Sequence, residues 1–386
     1  MSRVRPFHNP VRIRFGDGVL SGLAELAGSR RTVILATEGM ARRGALATVE
    51  RSLGGSVAAV YTDIAPNPTV RSCITAFEAL RGAGAHADAE LIIALGGGSV
   101  IDTAKAVAAQ QGSGAEAGWL EAHLRDGRPF PEPFEPPAII AIPTTAGTGS
   151  EVTMWGTIWD EQTRGKHSIS HPRLYPEAAL LDPALTLSVP RPATLAAALD
   201  ALSHAMEAIW NRSANPVSDA VAVRAVGIIP EALRRVLATP GDPRAREALL
   251  AASLLAGLAI SNTRTALAHS ISYPLTAELG LPHGIASSLT LPQILAEVGR
   301  GNPERADLIV GALGATSVAA AARGVYDLFR EAETAEIVRR HIPSAAMLGD
   351  LRGGFIAPGR AENFVLPVDQ AAASELLRRA YEVVCG

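Results

Sequence analysis

The sequence contains little cysteine and little lysine. Only Cys73 and Cys385 occur in 386 residues, which is too few for a disulfide framework, so a reducing cytoplasm is the expected compartment. Lysine occurs only as Lys105 and Lys166, and the formal net charge is −3. This charge gives no reason to expect a nucleic acid or a membrane surface as a partner.

Long apolar runs are also missing. The longest, from Ala248 to Ile260, is too short to span a bilayer comfortably and predicts a buried helix. Residues 1–18 lack the apolar core of a signal peptide. Hydrophobic residues make up 48% and charged residues 19%, which is typical of a globular protein, and the length predicts two domains.

The first half of the chain alternates apolar, β-branched runs with helical patterns. Strands are predicted at residues 32–37, 58–64, 90–96 and 138–145. This alternation predicts an α/β domain in which helices cover both faces of a parallel sheet. The stretch 112–137 is rich in Gly and Pro and predicts an irregular excursion within that domain.

Beyond about Pro190 the pattern changes to helices, and the sequence shows no convincing strand. The turn-like sequence around Ser188 is the predicted domain boundary. The sequence therefore predicts an α/β dinucleotide-binding domain at 1–187 and an all-helical metal-binding domain at 188–386.

One glycine-rich turn lies directly between a predicted strand and a predicted helix. It comprises Gly96, Gly97, Gly98 and Ser99. Glycines let the backbone approach a phosphate, and the helix N-terminus supplies free N–H donors and the positive end of the helix dipole. Asp102, predicted in the first helical turn, also suits this dipole. The turn lacks the G-x-G-x-x-G fingerprint, and a tight turn without a ligand is the alternative.

A second turn of Gly and Thr, within IPTTAGTGSEVT, follows the next predicted strand. Thr144, Thr145 and Thr148 offer hydroxyl groups there. Ligands of open α/β sheets bind at the carboxyl ends of the strands, where both turns are expected. The two turns together favour a dinucleotide, with a nucleotide or a sugar phosphate as alternatives.

Two helical segments carry candidate metal ligands. Asp200 and His204 are four residues apart in an apolar segment, which places them on one helix face. His269 and His283 follow in a second stretch. One Asp and three His could hold a divalent transition metal and leave room for water or substrate. From spacing alone, a simple polar pair and hydrogen-bonded core histidines are the alternatives.

Together these segments resemble the iron-containing (group III) alcohol dehydrogenase family. The matching segments stand in the family's order: PNPT, GGGSVIDTAK, IPTTAGTGSEVT, LLDPALT, LDALSHAMEA and AHSISYPLTAELGLPHG. The resemblance implies a dehydroquinate-synthase-like fold. It also implies an NAD(P)-dependent, metal-dependent alcohol dehydrogenase or aldehyde reductase, in which hydride passes between a nicotinamide and a carbonyl carbon.

The resemblance also implies roles for individual residues. It makes Asp200, His204, His269 and His283 the metal ligands, with Fe²⁺ usual in the family and Zn²⁺ or another divalent metal also compatible. The GGGS turn would hold the pyrophosphate. The other predicted cofactor-binding residues are Thr37, Asn67, Asp102, Thr144, Thr145, Thr148 and Lys166. The family is often dimeric, so a homodimer is expected.

Two positions depart from the family's pattern. Many members carry a histidine four residues after the third metal ligand, where this chain has Tyr273; proton relay, substrate binding and a place in the pocket wall are all open for it. Members often carry an Asp that binds the adenosine 2′-hydroxyl, where this chain has Thr37. The absence of this carboxylate removes a repulsion against a 2′-phosphate, and Arg42 and Arg43 lie close by in sequence. Both features favour NADP(H) over NAD(H). Glu38 favours NAD(H) if the alignment shifts by one residue.

The stretch before the third metal ligand departs as well. Arg264 stands where small residues are common, and a guanidinium near a metal favours an anionic substrate. On one continuous helix, Asn262 would share a face with His269. Arg264 would lie about 140° around the helix from His269, so a position on the protein surface is the alternative for it. The stretch also resembles phosphonoacetaldehyde reductases. The favoured reaction is therefore the reduction of phosphonoacetaldehyde to 2-hydroxyethylphosphonate.

Other functions fit parts of the pattern. The nearest alternative is a general alcohol or lactaldehyde-type dehydrogenase that acts on small uncharged substrates. A dehydroquinate-synthase-like lyase would need more lysines around its substrate than this chain has. A non-catalytic dinucleotide-binding protein fits Tyr273 but not a complete set of four candidate metal ligands.

Overall fold

The computed structural model describes residues 5–84, 89–114, 116, 118–162 and 165–386. Within them the chain forms two compact units. The α/β unit comprises residues 9–145 and 150–186, and the helical unit comprises residues 5–8, 146–149 and 187–386.

The strands of the α/β unit are β1 (Arg12–Phe15), β2 (Thr32–Ala36), β3 (Val57–Tyr61), β4 (Leu91–Gly96), β5 (Ala138–Pro143), β6 (Trp155–Asp160), β7 (Gly165–Ser170) and β8 (Ala178–Leu181). Its helices are α1 (Leu23–Ala27), α2 (Glu38–Arg42), α3 (Ala45–Leu53), α4 (Val70–Gly82), α5 (Gly98–Gly112) and α6 (Trp119–Asp126).

Six strands form one parallel sheet in the order β1-β8-β5-β4-β2-β3, and β6 pairs with β7 in a separate antiparallel ribbon. The chain moves outward from β2 to β3 and then returns to β4 on the other side of β2. The carboxyl ends of β2 and β4 therefore flank a topological switch point, where open α/β sheets bind their ligands. Thr37 and the GGGS turn both follow these strand ends.

Helices cover both faces of this sheet. Alternate residues of the central strands, such as Val33 and Ile92, pack with α4, α5 and α6 in one core. Their neighbours, such as Ile34 and Ile93, pack with α1, α2 and α3 in a second core. Strands β2 and β4 are buried along their whole length, which explains their continuous apolar sequences. The four predicted strands are confirmed as β2, β3, β4 and β5.

The other strands and one helix were missed by the sequence patterns. Strand β1 lies at the sheet edge, so its residues are mostly exposed and show no apolar run. Strand β8 is only the four residues AALL, which fit a helix equally well. Helix α6 lies within the stretch predicted to be irregular, of which residues 115 and 117 are outside the described part.

The helical unit contains α7 (Arg191–Ile209), α8 (Pro216–Ala238), α9 (Pro243–Thr263), α10 (Leu267–Ala277), α11 (His283–Ser288), α12 (Leu291–Gly301), α13 (Pro303–Ala312), α14 (Val318–Glu331), α15 (Thr334–His341) and α16 (Gln370–Cys385). Helix α7 packs against α8, α9 and α11 and is the centre of the unit. Among the described residues, no helix has the length and apolar character needed to cross a membrane.

Candidate metal centre and cofactor turns

Helix α7 places three ionisable side chains in an apolar interior. Asp200, His204 and Glu207 are 5%, 5% and 0% exposed. Their spacing of four and three residues puts all three on one helix face. Buried charged groups need partners, and for this face the partners lie on α10 and α11.

The four predicted metal ligands lie together. The Oδ1 atom of Asp200 is 3.4 Å from Nε2 of His269, 3.8 Å from Nε2 of His204 and 3.9 Å from Nε2 of His283. The donor atoms of Asp200, His269 and His283 all lie within 4.8 Å of one another. The ring of His204 stacks on that of His269, with 4.8 Å between centroids.

Hydrogen bonds at the far side of two imidazoles orient this cluster. Nδ1 of His269 donates to Glu207 Oε2 at 2.5 Å, and the backbone N–H of His269 donates to Glu207 Oε1 at 3.1 Å. Nδ1 of His204 donates to the carbonyl of Gly147 at 3.3 Å. In the neutral imidazoles these bonds hold the proton on Nδ1 and leave each Nε2 with its lone pair facing Asp200, as metal-ligating histidines require.

A buried atom without a hydrogen bond marks the centre of the cluster. Nε2 of His269 is buried and has no hydrogen-bond partner among the described residues, although the Asp200 carboxylate lies nearby. An orphaned nitrogen beside a carboxylate and two more imidazoles fits a divalent transition metal better than it fits an apolar core. The residues present therefore fit the metal that the sequence predicts.

Close packing of two helices positions the last ligand. His283 is the first residue of α11 and follows Pro282. A Cβ atom on Gly284 would lie 1.8 Å from the carbonyl oxygen of Ala196 on α7. Only glycine allows this approach, which brings His283 to Asp200. The hydroxyl of Ser287, one turn further, donates to Asp200 Oδ1 at 3.2 Å.

The charges in the cluster stabilise the ligand form of the carboxylate. Burial opposes ionisation of Asp200, but the neighbouring histidines, first among them His204, outweigh it and hold the pKa of Asp200 well below its usual range. Burial likewise opposes the charged form of His269, but Glu207 and Asp200 outweigh it and raise the pKa of His269 to about 9. The cluster is thus a strongly polar site inside an apolar unit.

Within the α/β unit, the GGGS turn lies beside Thr144 and Thr145, the two residues that follow β5. Helix α5 begins at Gly98, and its N-cap residue is Gly97, which has no side chain to accept from the first amides. A Cβ atom on Gly97 would lie 2.9 Å from Oγ1 of Thr145. The N–H of Thr144 donates to the carbonyl of Gly96 at 3.1 Å. An uncapped helix N-terminus in a glycine cradle fits a phosphate.

The PNPT turn reaches the same place. Asn67 has a left-handed backbone with φ of 56°, and its N–H donates to the hydroxyl of Ser99 at 3.1 Å. Asp102 is the fifth residue of α5, so its predicted place in the first turn is wrong. Its carboxylate accepts from the Ser150 hydroxyl at 2.5 Å and from the Thr157 N–H at 2.9 Å.

The two lysines have different surroundings. Lys105 is fully buried and donates to Ser150, to Thr153 and to the carbonyl of Trp155 over 2.7–3.0 Å. It therefore ties the loop after β5 to α5. Lys166 lies on β7, with Nζ 5.7 Å from the centroid of the Trp159 ring.

The remaining predicted cofactor residues are Thr37 and Thr148. Thr37 is the N-cap residue of α2 and forms no capping hydrogen bond through its side chain. The exposed Arg42 pairs with Glu38 at 2.8 Å. Thr148 belongs to the stretch 146–149, which groups with the helical unit and not with the α/β unit.

The predicted substrate contacts rest on a helix that is not continuous. Helix α9 ends at Thr263, Arg264 has a left-handed backbone with φ of 65°, and α10 begins at Leu267. The premise that Asn262, Arg264 and His269 share one helix is therefore wrong. The Asn262 amide accepts from the His8 N–H at 2.7 Å, and Arg264 is exposed. Whether either contacts substrate stays a prediction.

Sequence reasoning missed two residues near the cluster. Glu207 falls seven residues after Asp200 and three after His204, a spacing that could have indicated it. Arg360 donates through Nε to the hydroxyl of Tyr273 at 3.1 Å. No sequence pattern links Arg360 to Tyr273, because 87 positions separate them in the chain.

Comparisons with known proteins identify the family and agree with this fold. Residues 10–183 match the family "Iron-containing alcohol dehydrogenase", and residues 194–340 match "Fe-containing alcohol dehydrogenase family, C-terminal". The protein is thus an oxidoreductase of the alcohol dehydrogenase and aldehyde reductase class. It belongs to the iron-containing alcohol dehydrogenase family, and the predicted family and fold class are confirmed.

Three relatives illustrate the range of this family. The probable alcohol dehydrogenase EutG of Escherichia coli (strain K12) is 33% identical over 309 residues, covering 76% of this chain and 73% of that protein. The phosphonoacetaldehyde reductase of Streptomyces viridochromogenes is 40% identical over 210 residues, covering 54% of this chain and 53% of that protein. Sulfoacetaldehyde reductase from Bifidobacterium kashiwanohense, solved in complex with NAD+, superimposes with a TM-score of 0.88 and 28% identity, covering 98% of this chain and 99% of that one.

Proposed function

We propose that this enzyme reduces a short anionic aldehyde to the primary alcohol, with phosphonoacetaldehyde, giving 2-hydroxyethylphosphonate, as the favoured substrate. The observation that carries the redox assignment is the convergence of three imidazole Nε2 atoms within 3.4–3.9 Å of the Asp200 carboxylate. The substrate assignment is supported by two relatives named for aldehydes with a phosphonate or a sulfonate group. Both relatives are reductases, which favours the reductive direction.

Asp200, His204, His269 and His283 would hold the metal, for which Fe²⁺ is the family's usual ion. A bound divalent metal supplies Lewis acidity toward the substrate oxygen. Glu207 and the Gly147 carbonyl keep the histidines in the tautomer that ligation needs, and Ser287 orients the carboxylate. Tyr273, one turn beyond His269, would donate a proton or a hydrogen bond to the substrate oxygen.

The glycine turn at the start of α5 would bind the pyrophosphate of a dinucleotide through its first amides. Thr144 and Thr145 would line the same turn, and Asn67 would hold Ser99 in place. We infer a preference for NADP(H) because Thr37, at the end of β2, offers no carboxylate that would repel a 2′-phosphate. Thr148 and Lys166 would contact the nicotinamide end of the cofactor, as the family pattern implies.

A dehydrogenase for small uncharged alcohols is the second candidate. The match to a probable alcohol dehydrogenase extends over 76% of the chain, against 54% for the phosphonoacetaldehyde reductase. The two candidates share the metal and the cofactor and differ only in the substrate. Kinetics with charged and neutral aldehydes therefore separate them.

The test follows the absorbance of NADPH and NADH with protein loaded anaerobically with Fe²⁺. Phosphonoacetaldehyde, sulfoacetaldehyde and acetaldehyde are compared, and a chelator-treated sample is the control. Oxidation of NADPH that is lost on chelation, with phosphonoacetaldehyde giving the highest kcat/KM, is the expected result. A higher kcat/KM with acetaldehyde would refute the anionic substrate but leave the metal and the cofactor in place.

We also propose a homodimer. Strand β1 lies at the edge of the sheet, and its Ile13 and Phe15 are 37% and 36% exposed. Unpaired edge strands with apolar side chains are suited to pairing with a second chain. Light scattering would give twice the chain mass of 40.1 kDa, and a single chain mass at micromolar concentration would refute the dimer.

A further inference from the structure

The C-terminal stretch 355–363 lies along α10, the helix that carries His269. The Ser270 hydroxyl donates to the Phe355 carbonyl and accepts from the Ala357 N–H, both at 2.6 Å. The Asn363 amide donates to the Thr265 carbonyl at 2.8 Å. Between these contacts, Arg360 donates to the Tyr273 hydroxyl at 3.1 Å. Several bonds therefore fix this stretch, and the Arg360 side chain is held within it.

Tyr273 connects Arg360 to the metal centre. It follows His269 by four residues on α10, so the two side chains lie on one helix face with Cβ atoms about 5–6 Å apart. His269 is 2% exposed, whereas Tyr273 and Arg360 are both partly exposed. A cation is thus placed one side chain away from the buried ligand His269.

The chemistry of Arg360 suits an oxyanion. Its Nε donates to the Tyr273 hydroxyl, and its Nη1 donates to the Gly359 carbonyl at 3.0 Å. A guanidinium carries five N–H donors in a fixed plane, which match two oxygens of a phosphonate, sulfonate or carboxylate at once.

Arg264 is less well placed for this role. It is exposed and stands between the end of α9 and the start of α10. Its backbone carbonyl, and not its guanidinium, is the atom that contacts Asn211 and Thr263.

We propose that Arg360, held against the Tyr273 hydroxyl beside the metal ligands, binds the anionic headgroup of the aldehyde substrate. This rests on the proposed reduction of an anionic aldehyde. The Tyr273 hydroxyl then contacts the aldehyde end, while the guanidinium contacts the headgroup at the other end of a two-carbon substrate. Arg360 would in this way determine substrate specificity, although it lies far in sequence from the metal ligands.

The experiment compares R360Q and R360K with wild type, using holoenzyme with Fe²⁺ and NADPH. Steady-state kinetics are measured with phosphonoacetaldehyde, sulfoacetaldehyde and acetaldehyde. R352Q is the matched control, because Arg352 is an exposed arginine three residues before the stretch 355–363 and its loss changes the net charge equally. Thermal unfolding of every variant verifies folding, and R360K covers the case in which R360Q does not fold.

The expected result is a rise of about 100-fold in KM for both anionic aldehydes in R360Q, which is the size of one lost charged hydrogen-bond pair. The kcat/KM for acetaldehyde falls by less than about tenfold, so the preference for anions is lost. R360K recovers part of the affinity, because a lysine keeps the charge but not the planar pair of donors. R352Q keeps the preference of the wild type.

Inhibition by unreactive anions separates this inference from the proposed function. Ethylphosphonate and ethanesulfonate are tested as competitive inhibitors of acetaldehyde reduction. If the wild type reduces only neutral aldehydes, but R360Q raises the inhibition constants of these anions about 100-fold, the proposed substrate fails and the role of Arg360 stands. If phosphonoacetaldehyde is reduced equally well by R360Q and wild type, or R264Q alone removes the preference, the role of Arg360 is refuted and the proposed function stands. An equal loss of kcat/KM with all three aldehydes in R360Q would assign Arg360 a purely structural role. This result would also refute its role in binding the anionic headgroup.

Discussion

Replacing Glu207 by glutamine tests how the metal centre is organised. Glu207 is fully buried and accepts two hydrogen bonds from His269, one from Nδ1 and one from the backbone N–H. Glutamine has the same shape but only one acceptor oxygen. If that oxygen stays on the backbone N–H, the amide NH₂ faces Nδ1. His269 must then carry its proton on Nε2, the atom that faces Asp200.

The expected cost follows from these bonds. Loss of a partner that orients a metal-bound histidine lowers metal affinity by about 10–100-fold, which corresponds to about 1.4–2.7 kcal/mol. Without metal, the lost charged hydrogen bond lowers the free energy of unfolding by about 1.5–3 kcal/mol. The two effects are measured separately, by competition with a fluorescent chelator for Zn²⁺ or Co²⁺ and by urea unfolding of the chelated protein.

S203A is the matched control. Ser203 lies on the same helix and is 0% exposed. Among the described residues its hydroxyl bonds only within α7, to the Leu199 carbonyl at 2.9 Å. It should bind metal as the wild type does. Metal affinity of E207Q within twofold of wild type would refute the reasoning that Glu207 sets the tautomer of His269.

Three further predictions concern packing, pH and the cofactor. In G284A the new Cβ meets the Ala196 carbonyl, so we expect about 1–3 kcal/mol less stability in urea and weaker metal binding. G311A is the control, because no atom of the described residues lies within 4 Å of a Cβ at that position, and it should lose neither. Equal behaviour of the two variants would refute the close-approach argument. Burial raises the pKa of Glu151 to about 7 from 4.5, so between these pH values the native chain keeps a proton that the unfolded chain has lost. Stability should therefore fall by about 1.4 kcal/mol for each unit of rising pH, and E151Q should lack this slope in unfolding experiments from pH 4.5 to 7; the same slope in both proteins would refute it. T37D places a carboxylate at the end of β2 and should raise KM for NADPH about tenfold or more through repulsion of the 2′-phosphate, with little change for NADH; an unchanged KM would mean that Thr37 does not face the adenosine ribose.

Local spacing predicted the parts of the site that lie on single elements. Asp200 and His204 share a helix face because four residues make about one turn, and the GGGS turn follows β4 directly. The central strands were also predictable, since burial on both faces leaves a continuous apolar run. Residue spacing gave a wrong prediction where a helix ends at a position that carries no helix-breaking residue. NTRT contains neither Gly nor Pro, yet the chain takes a left-handed conformation at Arg264 and starts a new helix, which breaks the supposed face joining Asn262 to His269.

The sequence by itself determined the α/β and helical halves, the family, and four candidate ligands, because periodicity and short motifs are properties of neighbouring residues. Only the tertiary structure decided what surrounds those ligands. Glu207 meets His269 across 62 positions, and Arg360 meets Tyr273 across 87. Such pairs depend on how helices pack against each other, and no local pattern of residues records which distant side chain the packing will bring into contact.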